Sequence, residues 1–355
     1  MTLITLASGG SRWTQWKSLS VSKTIDSAQH KMSISTTDRI QTGLERWNIL
    51  GGSEIRLFFD VNLIFEGYVT KYSPSVSETE HAISVECTTR SVDAVESSHD
   101  GTLFWKDTSP EEVIREVLSP FGIQTNIMSP MTMIESEGFK VAPNTSAYDV
   151  VKRLAERDGL LIYTNTDSSF TISDGAIAFS PAQTIVRGDW CSISSTHDIG
   201  KSYSEVRLKT QRKSYNYDYD ERQMTEEVFT SSFQNRHRPL VVVDNTQFEN
   251  DEKLGRYIER RLNNDSITAQ VEMKSFSDKS GRPWEVGGMV RVFEPLIDVT
   301  QTLQISSVNY DLSESGGITT NLTLKTPEGY STGTASASSI RRSSGAFGSL
   351  LGSFS

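Results

Sequence analysis

Cysteine is nearly missing from these 355 residues. Cys87 and Cys191 stand far apart, and neither belongs to a Cys-x-x-Cys pair. Two isolated thiols build no disulfide framework, so both are expected to behave as small buried hydrophobes in a reducing compartment. No run of about 18 apolar residues occurs, which leaves no candidate for a membrane-spanning segment. Residues 1–10 lack a basic stretch followed by an apolar one, so no secretory leader is expected. Histidine is scarce: His30, His81, His99, His197 and His237 have no partner at metal-ligand spacing. HExxH, GxSxG and a Gly-rich phosphate loop are all lacking, so neither metal nor cofactor is expected. A basic excess is lacking too. The formal net charge is −10, whereas binding nucleic acid through its phosphates needs a basic face. An acidic wall repels phosphate, which suits a conduit that DNA passes without sticking.

What is present is strand patterning. Leu3-Ile4-Thr5-Leu6, then Leu19, Val21 and Ile25 among Ser and Thr, then Met32 and Ile34, alternate with period two. Ser, Gly and Asn turns interrupt them about every 8 to 12 residues, the mark of a barrel or sandwich. The character changes after Cys87. Ser109-Pro110-Glu111-Glu112 reads as a capped helix start, with Val113, Ile114, Val117 and Leu118 as its apolar stripe. A second helix is expected from Thr145-Ser146 to Asp158-Gly159, followed by a hairpin over Leu160–Tyr163 and Phe170–Ile172. Strands are expected again at Val206, Leu208 and at Leu240–Val243, and a helix over about 251–263. A chain this long exceeds one core. The expected fold is mainly β with α+β insertions: two similar antiparallel β-barrel domains and two smaller α+β domains. The boundaries are 1–98 for the first barrel, 99–197 for an α+β domain, and 198–215 with 268–330 for the second barrel. Residues 216–267 form an α+β insertion, and 331–355 a Ser/Gly-rich tail.

The two barrels are expected because two stretches resemble each other. Gly51-Gly52 leads into Ile55-Arg56-Leu57-Phe58, runs through Tyr72 and ends at Ile83–Cys87. Gly287-Gly288 leads into Val290-Arg291-Val292-Phe293, runs through Tyr310 and ends at Thr320–Leu324. The glycines lack GxGxxG spacing and read as turn or bulge residues. One chain that carries a β-module twice can set two equivalent walls around an axis. Strand-edge pairing between neighbouring barrels is expected, with Arg56, Phe58, Arg291 and Phe293 at the seams.

Other constellations are weaker. Glu156 with Asp158, or Asp218 with Asp220, are nominal acid pairs for glycoside chemistry; a helix end and a polar loop are the plainer readings. Tyr215, Tyr217 and Tyr219 suit stacking on sugars, or simply a solvated loop. Ser, Gly, Ala and Thr dominate 331–355, a composition that cannot bury enough surface to order alone. Yet Phe347, Leu350, Leu351 and Phe354 share one helical face. With Ile340 they make a candidate docking peptide for a partner.

In order along the chain, several segments resemble one family. They are the opening β region, Ser109–Ile123, Ser146–Tyr163 with its hairpin, Arg238–Val243, and the closing stretch from Trp284 through Leu324-Lys325-Thr326-Pro327-Glu328-Gly329-Tyr330. The family is the Mu-type baseplate hub proteins of contractile phage tails, relatives of type VI secretion spike-protein heads. The resemblance spans about residues 2–330. It implies a homotrimer whose paired barrels form a pseudo-sixfold ring. That ring would meet the tail tube or other baseplate proteins on one side and a central spike protein on the other, with DNA passing through. It implies no catalysis and a place in the virion tail baseplate after assembly in the host cytoplasm. The rival readings are a cell-wall-degrading tail enzyme and a receptor-binding adhesion module.

Overall fold

The computed structural model describes residues 4–14, 16–36, 49–77, 81–136, 138–174, 183–198, 200, 202–211, 224–230, 236–244, 255, 258–259, 262, 267–314 and 316–327. The chain is mainly β. It opens with β1 (Ile4–Ser8), β2 (Ser11–Trp13), β3 (Ser18–Thr24), β4 (Lys31–Thr36), β5 (Glu54–Phe59), β6 (Asn62–Val76) and β7 (His81–Thr89). A mixed region follows: α1 (Ser91–Glu96), β8 (Phe104–Trp105), α2 (Pro110–Leu118), β9 (Thr125–Ile127), β10 (Phe139–Lys140), α3 (Ala147–Arg157), β11 (Leu161–Thr164) and β12 (Phe170–Ser173). The rest is β13 (Gln183–Val186), β14 (Ser192–His197), β15 (Glu205–Gln211), β16 (Met224–Thr230), β17 (Pro239–Asp244), β18 (Ile267–Met273), β19 (Met289–Phe293), β20 (Thr302–Ser313) and β21 (Gly317–Lys325).

One large sheet organises both ends of the chain. Its path is β14-β18-β21-β20-β3-β4-β7-β6-β5-β1-β2, with β19 joined to β20 and β13 to β19. Period-two sequence makes this possible, because each strand sends alternate side chains to one buried face. β4 buries Met32 and Ile34 and exposes Lys31 and Ser33. β18 buries Ala269, Val271 and Met273 in the same way. Residues from both ends fill one continuous core, from Leu6, Leu57 and Phe65 to Val292, Tyr310 and Leu324.

The α+β region has its own core, made by α2, α3 and β11–β12. Ser109 and Ser146 cap α2 and α3 by accepting the N–H of Glu112 and Asp149. The expected hairpin is β11–β12. A third small sheet, ordered β16-β15-β17, stands apart.

Cys87 is buried as expected, whereas Cys191 is exposed. Three expectations about the sheet also shift. Residues 183–197 do not belong with the α+β region, because β13 and β14 hydrogen-bond into the large sheet. The strand at 205–211 leaves the second barrel, because its partners are β16 and β17. The second module is also not wholly antiparallel, since β13 runs parallel to β19. Alternation shows that a strand exists; it does not name the neighbour. Tyr215, Tyr217, Tyr219, Asp218, Asp220 and residues 331–355, with Ile340, Phe347, Leu350, Leu351 and Phe354, lie outside the described residues, as does most of 251–263.

Candidate assembly interface

Two parts of the sheet follow one plan. In the first, β5-β6-β7 form a meander and β4 then β3 continue outward from β7. In the second, β19-β20-β21 form the meander and β18 then β14 continue outward from β21. The local hydrogen bonds match. Gly52 N–H donates to Val69 O at 2.7 Å, and Val69 N–H to Ser53 O at 3.0 Å. Gly287 N–H donates to Ile305 O at 2.8 Å, and Ile305 N–H to Gly288 O at 2.8 Å. Gly52 and Gly287 both sit at φ 82°, the third position of a type II turn, which favours glycine. The turn closes by Ser53 N–H to Leu50 O in one copy and Gly288 N–H to Glu285 O in the other. Hence Gly52 matches Gly287, one place off from pairing the two Gly-Gly dipeptides in order.

A bulge follows in each copy. Thr70 stands unpaired between the Val69–Cys87 and Lys71–Glu86 pairs, and Ser306 between Ile305–Leu324 and Ser307–Thr323. Each bulged residue turns a hydroxyl to the opposite strand: Thr70 Oγ1 to Glu86 O at 3.1 Å, Ser306 Oγ to Thr323 O at 3.0 Å. From the bulge the register carries Tyr72 onto Val308 and Pro74 onto Tyr310. Tyr72 and Tyr310 are therefore not equivalent, although the sequence suggests that they are.

The two modules meet at β3 and β20, which pair antiparallel from Ser307–Thr24 to Ser313–Ser18. Ser306 O accepts Ile25 N–H at 2.9 Å and Thr24 Oγ1 at 3.2 Å, and Ser20 Oγ donates to Asp311 at 2.7 Å. The α+β region locks this seam. Lys23, fully buried on β3, donates Nζ to Thr166 Oγ1 at 2.7 Å, and Thr166 donates onward to Glu285 at 3.0 Å. Burial pulls the Lys23 pKa down to about 8, against the opposing pull of Glu285. Burial, and then the nearby Lys23 charge, push His30 down to about 3, so it is neutral. Tyr310 packs against Phe276, bonds Trp284 O and lies under Lys23. Lys23 had a sequence signal: it occupies the inward phase of Leu19-Val21-Lys23-Ile25.

Of the residues expected at seams between barrels, none lies on β3 or β20, the seam within the chain. Arg56 lies on β5, whose two sides are taken by β1 and β6, and it pairs with Glu66 at 3.0 Å. Arg291 lies on β19 between β13 and β20. Phe58 is half-buried and Phe293 is 52% exposed. All four share the outward phase of their strands. Glu156 and Asp158 do not converge. Asp158 is buried, accepts Thr132 N–H and touches Arg157, whereas Glu156 reaches Lys152 at 3.9 Å. Among the described residues no group of three or more His, Cys, Asp or Glu could hold a metal ion, and no helix is long and apolar enough to cross a membrane.

The family matches cover the first module and, of the second, β18–β21 without β13 and β14. Residues 3–88 match the family model for the Mu phage baseplate assembly protein GpP-like N-terminal domain, and residues 244–333 that for the fourth domain of Mu phage baseplate assembly protein GpP. Baseplate hub protein gp44 of Escherichia phage Mu is 20% identical over 339 residues, covering 92% of this chain and 88% of that protein. The 43 kDa tail protein of prophage MuSo2 from Shewanella oneidensis superposes with a TM-score of 0.80 at 17% identity, over 93% of this chain and 99% of that one. A tail protein from Neisseria meningitidis gives 0.78 at 15% identity, over 91% and 96%.

Proposed function

We propose that this chain, a Mu-type baseplate hub protein of the phage virion tail, forms a ring of three copies in which the two modules of each copy imitate sixfold symmetry. The observation that carries this reading is the strand plan used twice in one chain, with matching turns and matching bulges. A tail tube of sixfold symmetry needs six similar contact walls. A threefold spike needs three. Three chains with paired modules supply both. The ring thus joins tube to spike and leaves a channel for DNA, and the net charge of −10 suits a wall to which phosphate does not stick. It works through its interfaces and not through catalysis. Interfaces of this permanent kind bury about 2,000 Å² or more.

The test is the mass of the pure protein in solution, with averaged images down the symmetry axis. The expected result is a particle of three 39.5 kDa chains showing six similar lobes. A monomer at micromolar concentration overturns the reading. In the same reading, residues 331–355 dock a partner through Ile340, Phe347, Leu350, Leu351 and Phe354. Removing them is expected to leave the trimer intact and abolish capture of spike or neighbouring baseplate protein. Unchanged capture removes the tail from the scheme.

A further inference from the structure

We infer that the ring closes by strand addition: β14 of one copy pairs antiparallel with the second half of β6 in the next copy. This deepens the hub reading and rests on it, because it names the surface that joins one copy to the next.

The template lies within the chain. The β3–β20 seam joins the last strand of the first module to the post-bulge half of the long strand of the second. The equivalent of β3 is β14. Leu19 pairs with Ile34 and Ile193 with Val271, while Ile34 and Val271 face the matched positions Val85 and Leu322. The equivalent of β20 beyond its bulge is β6 beyond its own. Among the described residues both counterparts end without a neighbour. Among the described residues β14 pairs only with β18. Among the described residues, no strand lies beyond Tyr68 on the side of β6 turned away from β7. Residues 73–76 are exposed, and Val76 is 78% exposed. An open edge with an exposed apolar side chain invites a further strand.

The polarity is consistent. In the chain, the β3-type edge of module one meets the β20-type edge of module two. The inferred contact sets the β3-type edge of module two against the β20-type edge of the next module one. Every junction then runs in the same sense, a head-to-tail contact that forms a ring when its rotation closes.

Equivalence also fixes the register. Val308–Lys23, Tyr310–Val21 and Leu312–Leu19 become Tyr72–His197, Pro74–Ser195 and Val76–Ile193. Ser307–Thr24, Asn309–Ser22 and Asp311–Ser20 become Lys71–Asp198, Ser73–Thr196 and Ser75–Ser194. Val76 is thereby covered by Ile193, as Leu312 is by Leu19, and Lys71 meets an acid. The bond from Ile25 N–H to Ser306 O makes Ser307–Thr24 a non-hydrogen-bonded pair, so bonded pairs begin at Val308–Lys23 and alternate. Carried over, Pro74 falls at a bonded position. Its missing N–H faces the open edge, where proline is tolerated within a sheet. The seam between copies lacks that one bond and is weaker than the seam within the chain.

Cysteine pairs test the register in full-length protein carrying Cys191→Ser. Ser73→Cys with Thr196→Cys, and separately Ser75→Cys with Ser194→Cys, fall at close non-bonded pairs within disulfide reach. Both double variants are expected to give covalent trimers on mild oxidation, and Ser73→Cys with Ser192→Cys none. His197→Pro removes an N–H directed away from β18, so the fold by circular dichroism should persist while the trimer dissociates at least tenfold more readily. Trimers that stay non-covalent in both paired variants, or a trimer indifferent to His197→Pro, overturn the inferred seam and leave the ring standing. A monomeric parent protein overturns both.

Discussion

A buried lysine sits where three parts of the chain meet. Lys23 reaches from β3 to Thr166 of the β11–β12 turn, and through it to Glu285 before β19. Burial costs the ammonium more than these contacts return, since its pKa falls from 10.5 to about 8. Below pH 8 both folded and unfolded chains hold the proton, and the fold bears the whole cost. Between pH 8 and 10.5 the unfolded chain holds more protons, so stability climbs with pH. The full difference corresponds to about 3 kcal/mol. Lys23→Met is therefore expected to stabilise the fold at pH 7 by about 1–3 kcal/mol, with the gain shrinking toward pH 10. Urea unfolding of both proteins at pH 7, 8, 9 and 10 measures this. A less stable variant at pH 7 would mean that the Thr166 bond outweighs desolvation.

The turns and bulges make the two modules recognisable as copies. Gly52 and Gly287 take the same left-handed conformation at the same turn position. An added Cβ meets nothing within 4 Å at Gly52, and only the Tyr163 ring at 3.9 Å at Gly287. Their cost on substitution is thus conformational. Gly52→Ala and Gly287→Ala are each expected to lose about 1–2 kcal/mol, equal within error and additive in the double variant. Gly67 differs: a Cβ there would stand 2.1 Å from Thr88 O. Denaturation midpoints for the single and double variants decide it, and a large inequality between the two turns would deny their equivalence.

The large sheet makes the modules one mechanical unit. Their cores are continuous, and the β3–β20 ladder crosses between them. Leu19→Ala in the first and Leu324→Ala in the second should each cost about 2–5 kcal/mol. Both are expected to lower the same calorimetric transition; two separable transitions would show that the modules fold apart. A single unit also suits the proposed ring, in which paired walls would have to hold the spacing between sixfold and threefold partners.

Alternation in Leu19-Ser20-Val21, the paired glycines and the serine caps before α2 and α3 were enough to announce strands, turns and helices, because these depend on neighbours close along the chain. The same local logic pointed to a doubled module and to Arg56 and Arg291 as matched positions. It could not tell that β15 leaves the module or that β13 and β14 enter it. Nor could it tell that the seam runs along β3 and β20 while both arginines lie on strands flanked on each side. Those outcomes rest on which strand edges find partners. An edge is satisfied by backbone groups that every residue shares, so the side-chain pattern of Ser192–His197 or of the end of β6 does not reveal whether a neighbour is there.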